Sequence, residues 1–400
     1  MASSGVIEIK ANIIGKENNM ASYCSGRIHV IIWPEYPIRY FAPSFDSRIK
    51  PQTVYFVFPA SKTSEVEAAR SIFSDRGIKT FLYPFKKVWD LAAVRSQAES
   101  LVKSMDSTDL ILNLSSPSCP LTLGVYEVFR QKGLSIFTVN SEKDRLVWLS
   151  PEAKQSFDLE DHLDLQTYLK LYGFVVSKEI QRTPIPTGQR RLGKILTESP
   201  TRFDRSIHDL NWLSTEAKDS LLSPSINGAV SARESFQELL HLFGELNLLQ
   251  VSNNQIEFPD EEARRFVSGG WLEDYVYSEL RGLSGTGGLQ DVARGVEFLV
   301  QKNGQPIRNE LDVVFLSNNR LYFIECKTTK MNANHRKQND FLYKLNSLKA
   351  SIGGKRSRAM LLSYKPMGQR QRERAEVMGL EICCGNDVSK IKRWVQEWIQ

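Results

Sequence analysis

Asp312 and the run Glu325-Cys326-Lys327 are the residues whose types and spacing point most directly to chemistry. Between them lies Asn318-Asn319, which suits a two-residue hairpin turn. With that turn Ser317 pairs with Arg320, and counting back along both strands sets Asp312 opposite Glu325. Opposed residues on one face have Cβ atoms about 4.5–5.5 Å apart. Strand alternation brings Lys327 to the same face. Facing carboxylates repel each other unless a cation offsets them. The pattern therefore predicts one or two divalent ions, Mg²⁺ or Mn²⁺, held by Asp312, Glu325 and the backbone carbonyl of Cys326. Such an ion polarises a phosphodiester and helps generate a hydroxide nucleophile. Lys327 would orient that water or stabilise charge on the phosphorane oxygens. With Asn303-Gly304 as the preceding turn, Gly295 falls opposite Asp312 and leaves room beside the carboxylate.

The composition narrows the alternatives. Five cysteines without a CxxC, and five scattered histidines, argue against a disulfide framework or a thiolate or histidine metal centre. No apolar run is long enough for a transmembrane helix or a secretion signal, so a cytoplasmic protein without membrane partners is expected. The net charge of +6 is unevenly spread. Residues 201–300 carry 8 basic and 16 acidic side chains, and residues 301–400 carry 19 and 9. A basic last quarter suits a polyanion partner, though a solvated surface explains it equally well. The basic stretches 327–337 and 355–358 hold candidate phosphate contacts. Lys330, Arg336 and Lys344 are the residues singled out for nucleic-acid binding.

The elements that must position these residues fall into two α/β regions. After an N-terminal extension (1–26), β-rich runs at 27–33, 53–59, 79–85, 109–115 and 135–140 alternate with helical patterns at 64–77, 91–105 and 121–133. Near-continuous apolar strands separated by helices predict a doubly wound, Rossmann-like parallel sheet over 27–180. Residues 181–205 read as a linker, and 181–266 as linker plus a helical, winged-helix-like spacer. From 267 to 400 a helix, a three-strand meander and two further strand–helix pairs predict a second α/β domain. In a parallel sheet, ligands bind beyond the carboxyl ends of the strands. Candidate ligand residues there are Pro34 after the first strand, Ser61 after the second, and Asn113, Ser115, Ser116 and Ser118 after the fourth. Hydroxyls and amides at a helix N-terminus suit a phosphate, while Ser61 serves equally well as a helix cap.

Asp312 with Glu325-x-Lys327 resembles the PD-(D/E)xK, or restriction-endonuclease-like, nucleases, with Leu311 where their proline often stands. Glu273, in GGWLEDYV, is then the candidate for the added catalytic carboxylate from the first helix of that fold. The whole chain resembles the CARF-domain nucleases of type III CRISPR defence, most clearly in GGWLEDYVY, RNELDVV, IECKT, LYKLNSL and RAMLLSY. That resemblance implies a homodimer, a cyclic oligoadenylate bound across its two-fold axis, and metal-dependent cleavage of DNA and, in some members, RNA. The loop after the fourth strand departs from the family pattern. Its paired glycines are Ser116 and Pro117, and its lysine is Cys119. The ligand is accordingly a cyclic oligoadenylate or another nucleotide. A ligand-independent DNA nuclease and a non-enzymatic, nucleotide-responsive DNA-binding regulator stay open as alternatives.

Overall fold

A computed structural model describes residues 28–33, 38–105, 109–115, 119–140, 142–285, 288–302, 305–328, 335–353 and 356–400. At 64, 65, 68, 301, 302 and 335–340 only the backbone is described. The chain divides into two units, Met1–Gly173 and Phe174–Gln400.

In the first unit, apolar runs form the strands β1 (Ile28–Ile32), β2 (Thr53–Pro59), β3 (Lys79–Phe85), β4 (Leu110–Asn113) and β5 (Ser135–Asn140). Val30, Ile31, Phe56, Ile111, Leu112 and Phe137 are fully buried, as strands covered on both faces require. β6 (Arg145–Ser150) and β7 (Phe157–Asp158) complete a sheet of order β3-β2-β1-β4-β5-β6-β7. β3 to β5 run parallel, and β6 and β7 are antiparallel additions at one edge. The helices α1 (Ile38–Phe45), α2 (Thr63–Ser74), α3 (Leu91–Met105), α4 (Pro120–Gln131) and α5 (Leu165–Leu171) connect or follow the strands. α3 shows why they form. Asp90 caps the helix by accepting from the Ala93 N–H, and Val94, Ala98, Leu101 and Val102 recur at helical spacing on its buried face. The chain runs from β1 to β2 on one side and returns to β4 on the other. The strand order therefore reverses between β1 and β4, which is the switch point where such sheets bind ligands.

The second unit opens with β8 (Val175–Val176), which pairs with β11, so the unit begins a few residues before the boundary expected at 180. The expected linker at 181–205 is instead largely helical. α6 (Thr187–Glu198) and α7 (Pro200–Glu216) bury Leu192, Leu196, Phe203, Ile207, Leu210 and Leu213. Proline and glycine punctuate the start of this stretch, but its apolar residues recur at helical spacing and find a core. α8 (Glu234–Gly244) and the hairpin β9 (Gln250–Ser252) with β10 (Gln255–Glu257) give the winged-helix-like arrangement of helices followed by a hairpin. These elements share one hydrophobic core with the last part of the chain, so helices and sheet form one body.

The rest of the unit is α9 (Trp271–Arg281), the meander β11 (Asp291–Lys302), β12 (Gln305–Ser317) and β13 (Arg320–Lys327), then α10 (His335–Gly353), β14 (Arg358–Ser363), α11 (Gln369–Val377), β15 (Glu381–Cys384) and α12 (Ile391–Trp398). The sheet order is β15-β14-β13-β12-β11-β8. The meander is antiparallel, and β13, β14 and β15 run parallel.

Candidate active site

The hairpin sets the register of the site. Asn318 and Asn319 have φ of 48° and 50°, the left-handed pair of a type I′ turn, and Ser317 pairs with Arg320. The ladder then runs to Val313–Ile324. Asp312 and Glu325 come next in that register, and there the strands part. The Cys326 N–H, instead of joining a ladder, donates to Asp312 Oδ2 at 2.7 Å. In an extended strand the N–H and C=O of one residue point to the same neighbour. The Cys326 carbonyl is therefore directed to the Asp312 side. Its thiol lies on the buried opposite face, and burial pushes its pKa well up, so no thiolate is available there. The other hairpin behaves the same way. Lys302 pairs with Gln305, and the pairs Arg294–Val313 and Val296–Leu311 bracket Gly295 and Asp312.

Lys327 reaches both acids. Its Nζ lies 2.8 Å from Glu325 Oε1 and 3.8 Å from Asp312 Oδ2, and it sits 5.1 Å from the centre of the Phe341 ring on α10. Burial opposes its charge, but Asp312 and Glu325 outweigh that and raise its pKa. Glu273 joins them from the first turn of α9. Burial, and then the nearby Asp312 charge, push its carboxyl up to about 8. Burial, and then Glu325, push Asp312 up to about 7. A close approach holds α9 in place. Gly269, with φ of 130°, stands where a Cβ would lie 2.7 Å from Thr328 Oγ1, so the turn before α9 presses on the residue that follows Lys327.

Glu310 is the acid that the sequence reading missed. It precedes Asp312 by two on β12 and so shares its face, and its charge adds to the upward shifts of Asp312 and Glu273. Strand alternation alone could have found it. Its Oε1 lies 3.9 Å from where a Cβ on Gly295 would stand, so the glycine does leave space beside the acids.

The donor set fits a divalent cation. Asp312 and Glu325 face Lys327, Glu273 lies in electrostatic reach of Asp312, Lys327 and Arg265, and burial with like charge still pushes the Asp312 and Glu273 carboxyls up. Oxygen donors with surplus negative charge suit Mg²⁺ or Mn²⁺. Among the described residues no three histidine, cysteine or acidic side chains already stand at ligand spacing. The fit therefore rests on Asp312, Glu325 and the Cys326 carbonyl.

Of the expected nucleic-acid contacts, Lys344 is exposed on α10, one turn beyond Phe341 and so near the same face. Arg336 lies in α10 with its side chain undescribed, and Lys330 is outside the described residues. In the first unit, Pro34, Ser116 and Ser118 are also outside them. Ser61 is exposed in the turn after β2. Asn113 and Ser115 are buried at the end of β4. Asn113 Oδ1 accepts from the Ser115 N–H and hydroxyl, Asn113 Nδ2 donates to the Arg39 carbonyl, and Ser115 Oγ accepts from the Val139 N–H. These bonds hold the end of β4 against Arg39 and Val139.

Residues 260–400 match the family model of the Card1-like endonuclease domain. That segment of the second unit is thus similar to a Card1-like endonuclease domain. Glu273, Asp312, Glu325 and Lys327 all fall inside the matched segment. The fold extends the likeness beyond it. The chain is similar to protein VC1899 from Vibrio cholerae, with 27% identity, a TM-score of 0.85, and cover of 93% of this chain and 97% of that one. It is also similar to Can2 from Sulfobacillus thermosulfidooxidans, solved in complex with cyclic tetra-adenylate, with 22% identity, a TM-score of 0.77, and cover of 93% and 99%. A type III CRISPR defence DNA nuclease activated by cyclic oligoadenylate matches 89% of this chain and 50% of its own, with 18% identity and a TM-score of 0.56. No curated protein matches the sequence. The VC1899 and Can2 structures share the fold of this chain, a Rossmann-like unit followed by an α/β unit whose last part matches the Card1-like endonuclease model.

Proposed function

We propose that this chain is a divalent-metal-dependent endonuclease that cleaves DNA. We further propose that a cyclic oligoadenylate, or a related nucleotide, gates it by binding the first unit of a homodimer. The observation that carries the nuclease reading is the convergence of Asp312, Glu325 and Lys327 where β12 and β13 part, with Glu273 beside them. Asp312, Glu325 and the Cys326 carbonyl would hold the cation, which when bound neutralises and polarises the scissile phosphate. The Cys326 N–H fixes one Asp312 oxygen and leaves the other for that task. Glu325 holds the Lys327 ammonium in place. Lys327 hydrogen-bonds the phosphate oxygens as charge builds on them. Glu273 and Glu310 extend the acidic wall.

The gating reading is supported by the sheet reversal between β1 and β4, and by the likeness to Can2, which was solved with cyclic tetra-adenylate. The Asn113–Ser115 bonds fix the carboxyl end of β4, beside that reversal. The test is a cleavage panel of supercoiled plasmid, single-stranded DNA and single-stranded RNA, with Mn²⁺, with and without cyclic tri-, tetra- and hexa-adenylate. Cleavage that appears with one ring size supports both parts. Cleavage that ignores every ring keeps the nuclease and removes the gate.

A further inference from the structure

The helices ahead of residues 260–400 share a hydrophobic core with the strands of that segment and also meet them through buried polar groups. Asn211, on α7, is 4% exposed, and its Nδ2 donates to Thr328 Oγ1 at 2.9 Å. Thr328 directly follows Lys327 in sequence and is itself buried. Its hydroxyl also blocks the Cβ position of Gly269, which lies four residues before Glu273. One hydroxyl thus stands between α7, the end of the strand that carries Lys327, and the start of the helix that carries Glu273. Neighbouring bonds repeat the pattern. The Tyr364 hydroxyl, just past β14, donates to the Leu196 carbonyl of α6 at 2.8 Å, and the next residue, Lys365, pairs with Asp204 of α7 at 2.8 Å. The Tyr364 N–H in turn donates to the Lys327 carbonyl at 2.8 Å.

We propose that Asn211 is a positioning residue for catalysis. Through the Thr328 hydroxyl it sets Lys327 and Glu273 relative to each other, so that α7 acts as a brace on the active site rather than as a spacer. The inference rests on the nuclease reading above. A buried hydrogen bond of this kind fixes geometry, and a misplacement of about 1 Å at a reacting group can cost on the order of a hundred-fold in rate. Asn211 touches neither substrate nor the acids, so its effect must pass through Thr328.

The test is a double-mutant cycle on the full chain, measuring kcat and KM for Mn²⁺-dependent DNA cleavage in the presence of the cyclic adenylate that gives wild type its highest rate. Asn211→Leu and Thr328→Val should each lower kcat at least about ten-fold, with KM within about two-fold. The double variant should be no slower than either single one, because both remove the same bond. Thr328→Ser, which keeps the hydroxyl, should retain near wild-type kcat, and this separates lost positioning from failed folding. The brace is overturned if Asn211→Leu cleaves at the wild-type rate, if Thr328→Ser is as slow as Thr328→Val, or if the two losses simply multiply. Wild-type cleavage in the same assay reports on the nuclease reading separately.

Discussion

At the scale of single residues, the site gathers carboxylates at a cost in stability. Burial and like charge push the Asp312 carboxyl up to about 7 and the Glu273 carboxyl up to about 8, above the ordinary carboxylate range. The folded state therefore holds protons that the unfolded chain has already lost. Stability without metal is highest below about pH 4 as far as these groups are concerned, and falls as pH rises toward the folded values of about 7 and 8. Asp312→Asn keeps an acceptor for the Cys326 N–H but removes the repulsion. Thermal melts in EDTA should show this variant gaining on wild type between pH 5 and pH 8, by about 2 kcal/mol. Equal shifts at both pH values would mean that Asp312 is not under electrostatic strain. The same substitution should lower cleavage at least about a hundred-fold.

Elements place these residues, and here the sequence was legible in some parts and opaque in others. The hairpin arithmetic worked because Asn318-Asn319 supplies two left-handed residues at the turn, which leaves one register for the flanking strands. That register brings Asp312, Glu325 and Lys327 together. α6 and the first residues of α7 fall in the stretch 181–205, which reads as linker because proline and glycine punctuate it, while the core that orders its leucines comes from distant strands. The Asn211–Thr328 bond was invisible for the same reason, since it joins residues far apart in sequence with no local pattern. Gly269 sits between these cases. The paired glycines of GGW were legible as a motif, and only the structure shows the Thr328 hydroxyl against the first of them. Gly269→Ala adds a Cβ at 2.7 Å from that hydroxyl on a backbone with φ of 130°. It should cost about 2 kcal/mol or more in urea unfolding, with no change in m. A loss below about 0.5 kcal/mol would show that the turn relaxes freely.

On the scale of the whole molecule, two units are joined in one chain, a Rossmann-like sheet with its switch point between β1 and β4, and a body in which helices and endonuclease domain share a core. Among the described residues no helix is long and apolar enough to cross a membrane. The division of labour proposed for these units depends first on the chemistry of the second. The most direct test is cleavage of plasmid and single-stranded DNA, with Mn²⁺ or with EDTA, by wild type, Glu325→Ala and Lys327→Ala, each checked for folding by thermal melting. Each arm should include the cyclic adenylates. Cleavage by wild type that is abolished by EDTA, and lost in both folded variants, is the predicted result. Cleavage that survives EDTA, or persists in both variants, would contradict the site assigned to Asp312, Glu325 and Lys327.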